Sequence, residues 1–432
     1  MNMEKTWVNS AVVYNIYPLG FCGAPKTNDG NRTPRILDLL KWAGHIKGLG
    51  CNAILLNPFF QSSTHGYDVA DYYDTDCRLG TKEDFKKVFD GFKAMGFRII
   101  VDGVFNHVGR DFWAFKDLLE KKWDSPYKNW FADVDFGRQS PLGDPFSYGN
   151  WEGHWELVKL NLWNEDVCRH IFDAVRMWIR DFDIDGIRVD AANCIGKGFI
   201  GKLKGVVREL KPDFWLMGEL IHGDYSLWMG DGLLDSATNY ECWKGIYSSH
   251  NDKNYFEIAY AFNRQSGAYG IYKGRLLYNF LDNHDVSRIA TLLKDKRDVK
   301  NCYTLLFTMI GVPAIYYGSE FGIEAEKRKC AGGDDAIRPR LELESLEGAG
   351  IGIQEHIAAL AKLKREREAL QTGSYRELLL RNQQYVFARE SPSGSVIVCL
   401  NCSDGIAILD FNYDGRAFRF ELEPHSSHVE TV

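Results

Sequence analysis

RIIVDGVFNH (98–107) decides the fold. It is a short apolar run that ends on a carboxylate, Asp102. Three later stretches have the same form: DGIRVDAAN (185–193), FWLMGEL (214–220) and LLYNFLDNHD (276–285), carrying Asp190, Glu219 and Asp285. Runs of this length, bounded by turn residues, read as buried strands. Carboxylates closing successive strands of a long α/β chain belong at the mouth of a (β/α)₈ barrel. Two or three carboxylates meeting there, with no Cys/His metal cluster, point to glycoside chemistry.

Strand-like and helix-like runs alternate around this stretch. Val12 to Tyr17 reads as a strand, Ile36 to Leu49 as a helix ending at Gly50, and Asn52 to Asn57 as a strand. Glu83 to Met95 reads as a helix ending at Gly96, before the strand Phe97 to Asp102. Glycine just past a helix is a common C-terminal cap. The repeated βα order implies a parallel sheet.

Spacing locates an insertion. Asp190 and Glu219 are 29 residues apart, about one βα unit, whereas Asp102 and Asp190 are 88 apart. The intervening chain is rich in Gly, Pro and aromatic residues. Residues 108–157 are therefore expected to form an inserted domain at the active-site mouth, with the barrel built from 1–107 and 158–372. Later strands are expected at Leu233 to Ala237, Leu276 to Leu281 and Ala314 to Tyr317, followed by a long amphipathic helix over 353–370. From 373 to 432 short alternating runs with turn signals predict a C-terminal antiparallel β-sandwich domain.

Composition bounds the function. A chain of 432 residues with 45% hydrophobic content can bury a large core. The net charge of -7 argues against nucleic acid or an anionic membrane as partner. Twelve Trp and 21 Tyr supply flat faces that suit sugar rings. The ten cysteines are scattered and read as reduced, buried thiols of a cytoplasmic protein. Cys399 and Cys402 have CxxC spacing but no second pair, which is no zinc site. The N-terminal stretch lacks signal-peptide form, and no apolar run approaches the ~20 residues of a membrane span.

Hydrolysis of a glycosidic bond needs a proton donor and a second carboxylate acting as nucleophile or base. Glu219 closes an apolar strand, where a raised pKa would keep it protonated. Arg188 lies two residues from Asp190 on the same strand face, where a guanidinium would keep Asp190 ionised.

These residues also carry a resemblance. DGVFNH (102–107), GIRVDAAN (186–193), GE (218–219) and DNHD (282–285), with KLN (159–161), resemble in order the signature blocks of glycoside hydrolase family thirteen, the α-amylase family. The resemblance implies that Asp190 is the nucleophile, Glu219 the general acid/base, and Asp285 a holder of sugar hydroxyls. It implies that Arg188 orients Asp190, that His107 and His284 hydrogen-bond the sugar at the cleavage point, and that Tyr67 stacks on that ring. Asp102 and Asn106 would support the site from behind.

HGYDVADYYDTD (65–76), SPYKNWF (125–131), LLDSATNY (233–240) and GGDDAIRPR (332–340) are similar to the neopullulanase and cyclomaltodextrinase branch. There Asp334 and Arg338 would face the non-reducing end of the substrate. Three departures stand out. The first barrel strand begins by Ala11, without that branch's N-terminal β domain, so dimerisation through it is not expected and the cleft should be more open. Cys194 stands where the branch usually has Glu, and Ile221 where it has Trp. With His222 these form the expected acceptor side.

Many α-amylases bind calcium through an Asn at the place of Asn106, but the region after the nucleophile, Asn193–Cys194, departs from their pattern. A hard cation wants six to eight oxygens. KTNDGNR (26–32) reads as an Asx-rich turn. No metal site is assigned, and calcium is expected to be dispensable. The sequence thus implies a retaining hydrolase of α-1,4 bonds in malto-oligosaccharides, extending to cyclodextrins. The alternatives are an α-glucosidase, glucanotransferase or isomerase of the same family, and, more remotely, an inactive sugar-binding relative. The partner is an α-glucan oligosaccharide; a monomer and an oligomer are both compatible.

Overall fold

The computed structural model describes residues 6–330 and 332–432. Residues 1–5, part of the stretch read for a signal peptide, lie outside them. Eight short parallel strands make the first sheet. They are β1 (Val13–Ile16), β2 (Ala53–Leu56), β3 (Arg98–Gly103), β4 (Gly186–Val189), β5 (Trp215–Gly218), β6 (Ser236–Ala237), β7 (Tyr278–Phe280) and β8 (Val312–Tyr316). Their order is β6-β5-β4-β3-β2-β1-β8-β7, and a parallel bridge from Thr238 to Tyr278 joins the two edges. The sheet is thus a closed barrel in sequence order.

Nearly every residue of these strands is buried, as expected where helices cover a parallel sheet. Alternate side chains divide two cores. Val13, Leu55, Ile100, Met217, Phe280 and Ala314 fill the barrel. Tyr14, Ile54, Ile99, Ile187, Leu216 and Ile315 pack outward against the helices. Helix Lys82–Ala94 begins with a capping box between Thr81 and Asp84. Helix Glu165–Phe182 begins where the Asn164 side chain accepts from Asp166 N and Val167 N.

The insertion after β3 carries a three-stranded antiparallel sheet of His107–Gly109, Asn150–Trp151 and His154–Lys159, with the last in the middle. It also carries helix Trp113–Lys121. The C-terminal strands are β9 (Ser374–Leu380), β10 (Gln384–Ser391), β11 (Gly394–Asn401), β12 (Ala407–Tyr413), β13 (Arg416–Leu422) and β14 (Ser426–Thr431). The four-stranded sheet β9-β10-β11-β14 and the hairpin β12-β13 enclose a separate apolar cluster around Leu409 and Ile397.

Three expectations need correction. The strand expected from Leu233 narrows to Ser236–Ala237, because Leu234 bridges back to Met229 in its own loop. The helix expected over 353–370 is broken at Arg367 into Ile351–Glu366 and Glu368–Gln371. Gln371 Nε2 donates to the carbonyls of Lys364 and Arg365, and buried Lys364 donates to Leu370 O at 2.6 Å, folding the chain back on itself. Cys330 is exposed and Cys194 half-buried, although all ten thiols are free.

Candidate active site

Strand register assembles the site. Asp102 on β3 lies opposite Arg188 on β4, and Val189 lies opposite Gly218 on β5. One residue further, the ladder continues: Asp190 N donates to Gly103 O (3.0 Å) and Glu219 N to Val189 O (2.9 Å). Asp190 and Glu219 therefore leave the barrel side by side at its C-terminal rim. A Cβ on Gly218 would come within 2.9 Å of Ala192 Cβ, so glycine lets the two strand ends approach.

Arg188 binds all three carboxylates. Its Nη1 donates to Asp102 Oδ1 and Oδ2 (2.7 and 2.6 Å) and to Asp190 Oδ1 (3.1 Å). Its Nη2 lies 2.7 Å from Glu219 Oε1. Ala191, in the left-handed region at φ 42°, turns its N–H to Glu219 Oε2 (3.1 Å). A non-glycine residue held there stores strain of the kind found at functional sites. Behind Asp102, Asn15 donates to Asn57 Oδ1 (3.0 Å) and Asn57 to Asp102 Oδ2 (3.0 Å).

Asp285 lies past β7, where its backbone N donates to Asn283 Oδ1 (2.7 Å). His284 Nε2 is 2.9 Å from Asp285 Oδ2 and also meets the Tyr67 hydroxyl, which donates to Asp102 Oδ2 at 3.1 Å. The Tyr67 and His284 rings stack, 5.6 Å between centroids at 12°. Arg338 Nη2 bridges Asp285 Oδ1 (3.0 Å) and Asp334 Oδ2 (2.9 Å), and its guanidinium lies 4.7 Å over the Tyr17 ring. Tyr17, Tyr67, Asp285, Asp334 and Arg338 line a cleft of about 1350 Å³ with Asp190 and Glu219, room for several sugar rings, while His284 and Arg188 stand behind that lining.

The structure thus brings Asp190, Glu219, Asp285, Tyr67, Arg188, His284, Asp334 and Arg338 into one network, with His107 on the same wall. Ile221 lines the cleft and is 44% exposed, while His222 is exposed on the adjoining turn and is not part of that lining. Sequence reading missed Tyr17, Asn15, Asn57, Trp151 and Trp243. The aromatic richness of the insertion was the one available signal for Trp151.

Proton placement differs from expectation. Burial raises Asp190 well above the usual carboxylate range and the neighbouring Glu219 charge raises it further, against Arg188. The Glu219 carboxylate accepts from Ala191 N (3.1 Å) and lies 2.7 Å from Arg188 Nη2. Burial thus works against the ionised Asp190 that Arg188 alone would favour. Burial also works against ionised Asp285, but His284 and Arg338 outweigh it and hold Asp285 far below the usual range. Burial drives His107 down to about 3, so it is a neutral hydrogen-bonding group.

Two places bear on a cation. Asn106 Oδ1 is buried without a partner, yet no group of three His, Cys, Asp or Glu ligands gathers near it among the described residues. In the 26–32 turn, Asn28 Oδ1 accepts from Gly30 N and the Asp29 carboxylate accepts from Asn31, each at 2.9–3.0 Å.

The profile of the α-amylase catalytic domain matches residues 15–368. A cyclomaltodextrinase of a Bacillus species is 29% identical over 416 residues, covering 91% of this chain and 73% of that protein. Neopullulanase 2 of Thermoactinomyces vulgaris is 31% identical over 422 residues, 91% of this chain and 70% of that protein. Among solved structures, the cyclic α-maltosyl-(1→6)-maltose hydrolase of Arthrobacter globiformis superposes with a TM-score of 0.86 at 25% identity, covering 99% of this chain and 100% of that one.

Proposed function

The chain belongs to the α-amylase family of glycoside hydrolases, and from that premise we propose that it hydrolyses α-1,4-glucosidic bonds of malto-oligosaccharides, and of cyclodextrins, with retention of configuration. One observation carries the reading: a single guanidinium, Arg188, contacts both Asp190 and Glu219. The shared cation puts a nucleophile and an acid side by side at the barrel rim, and retention requires them ~5–5.5 Å apart, the spacing at which one attacks carbon.

Asp190 attacks the anomeric carbon while Glu219 protonates the departing oxygen, breaking the C–O bond and leaving a glycosyl ester on Asp190. Positive charge developing at that carbon favours ionised Asp190. Glu219, now ionised, takes a proton from water, which attacks the same carbon and frees Asp190. Asp285, kept ionised by His284 and Arg338, accepts hydrogen bonds from ring hydroxyls. His107 and His284 bind the same ring, and Tyr67 stacks on it. Arg338 and Asp334 extend the wall toward the non-reducing end.

The donor set around Asn106 supports a reaction without obligatory calcium. Ten free thiols favour the cytoplasm, and no described helix is long and apolar enough to cross a membrane. A second reading, with a sugar replacing water as acceptor, draws on the apolar Ile221 on the cleft wall.

The test is a product time course from β-cyclodextrin and from maltohexaose. Cleavage of maltohexaose into shorter products supports the proposal, and ring opening at a comparable rate extends it to cyclodextrins. Products longer than the substrate would move the assignment to a transferase. No turnover of either would overturn it.

A further inference from the structure

Two segments that line the cleft come from neighbouring strands. One follows β1 and supplies Pro25 and Lys26; the other follows β8 and supplies Asp334, Asp335 and Arg338. β1 pairs with β8, and in the closed ring of eight it lies four strands from β5. Both segments therefore stand across the mouth from Glu219 and Ile221. The sugar joined to the oxygen that Glu219 protonates departs on the β5 side. The β1 and β8 segments thus bound the side that holds the non-reducing part of the chain.

Each segment is fixed at its root. Buried Arg78 grips Asp76 at two points (2.8 and 2.7 Å) and donates to Pro25 O (2.8 Å) and Lys26 O (3.0 Å). On the β8 side, Arg288 Nη2 and the Tyr316 hydroxyl both donate to Ile337 O at 3.1 Å. Arg338 donates to His284 O (2.9 Å) and Asp285 Oδ1 (3.0 Å). The two segments meet where Gly20 lies so close to Arg338 O that no Cβ would fit.

A side-chain bridge joins them again: Lys26 Nζ donates to Asp335 Oδ2. Next to Asp335, Asp334 holds Arg338 at 2.9 Å. Charged groups therefore run unbroken from Asp285, beside the reacting ring, to Lys26. The Lys26 side chain is 79% exposed and that of Asp335 49%, and an exposed pair of this kind adds little to the stability of a fold. In the wall of a substrate cleft its consequence is different, because it decides whether a chain can pass.

We propose that Lys26 and Asp335 are specificity-determining residues: their ion pair straps the β1 segment to the β8 segment and closes the non-reducing end of the cleft, so that a linear glucan enters end first and is cut at a set distance from that end. This rests on the assignment of Glu219 as the acid. The consequence concerns linear chains, which alone have an end to meet the wall.

The experiment uses maltohexaose tagged at its reducing end with 2-aminobenzamide and separates the tagged products early in the reaction. The tag stays on the leaving part, so the length of each tagged product reports how many glucose units lay on the other side of the cut. The unaltered enzyme should give one dominant tagged product. In Lys26→Ala, and likewise in Asp335→Ala, that product should give way to shorter tagged ones, because more units then fit beyond the cut. Reversing the pair, with Lys26→Asp and Asp335→Lys together, should restore the single product, whereas Lys26→Asp alone should not. A mixed pattern from the unaltered enzyme, a pattern that Lys26→Ala leaves in place, or a shift that the reversed pair fails to correct would overturn the proposal. If the unaltered enzyme cuts no maltohexaose, the hydrolase reading fails and this one with it. If it does cut, the product pattern alone decides the role of the strap.

Discussion

Arg188 lies closer to Glu219 (Nη2–Oε1, 2.7 Å) than to Asp190 (Nη1–Oδ1, 3.1 Å). The guanidinium therefore does more than orient the nucleophile. It stabilises charge on the acid as well, and Asp102, bound at 2.6 and 2.7 Å, fixes the guanidinium from behind. Burial and the neighbouring Glu219 charge push Asp190 well above the usual carboxylate range, against Arg188, so its ionisation responds to what occupies the cleft.

Glu219→Gln removes the charge that helps to raise Asp190. Asp190 should then ionise at lower pH. On an activated substrate such as a glycosyl fluoride, which departs without protonation, the acidic limb of kcat/KM should move to lower pH than in the unaltered enzyme. On maltohexaose the same variant should lose about 10²–10⁴-fold in kcat. An acidic limb that stays in place, or moves upward, contradicts the coupling.

Asp102→Ala should destabilise the fold by about 3–5 kcal/mol, the usual cost of stripping one partner from a buried ion pair. Asn57→Ala removes only the hydrogen bond behind Asp102, and should cost about 1–3 kcal/mol. Denaturant unfolding of both variants checks the order. Equal or negligible losses would mean that the chain from Asn15 through Asn57 and Asp102 does not support Arg188.

His107 is held near 3 by burial, below the ~6.5 of an unfolded histidine. A group depressed in this way contributes stability that is fully present above about pH 6.5 and is lost as pH falls toward 3. By pH 5 the loss is on the order of 2 kcal/mol. His107→Gln should narrow the difference in Tm between pH 7 and pH 5. An unchanged difference would place the acid sensitivity elsewhere.

Exhaustive chelation should leave most of the activity on maltohexaose, because no three His, Cys, Asp or Glu ligands gather at Asn106 among the described residues. Inactivation that added Ca²⁺ reverses would refute this.

Much of the barrel was legible because parallel strands buried on both faces write continuous apolar runs, and a carboxylate marks where each such run ends at the barrel rim. Asp102, Asp190 and Glu219 are read this way from local pattern alone. Asn57 is not, since its role depends on what the fold sets opposite it, the buried Asp102. The break at Arg367 escaped notice because the helical period runs through it. Its cause is tertiary, the hydrogen bonds of Lys364 and Gln371 to nearby carbonyls. The full reach of Arg188 escaped notice for a related reason. Neighbours in sequence suggested that Arg188 serves Asp190, and only the register of β4 with β5 shows that its second nitrogen reaches Glu219.

The most direct test of the central claim is covalent trapping. The enzyme is incubated with 5-fluoro-α-D-glucosyl fluoride, which forms the glycosyl ester readily and releases it slowly, and is then digested and mapped by mass spectrometry. The expected result is one sugar on the peptide containing FDIDGIRVDAAN (182–193), attached to Asp190 and absent from Asp190→Asn. A label on another carboxylate, or an unlabelled protein that still consumes the fluoride, would contradict the assignment of Asp190 as nucleophile.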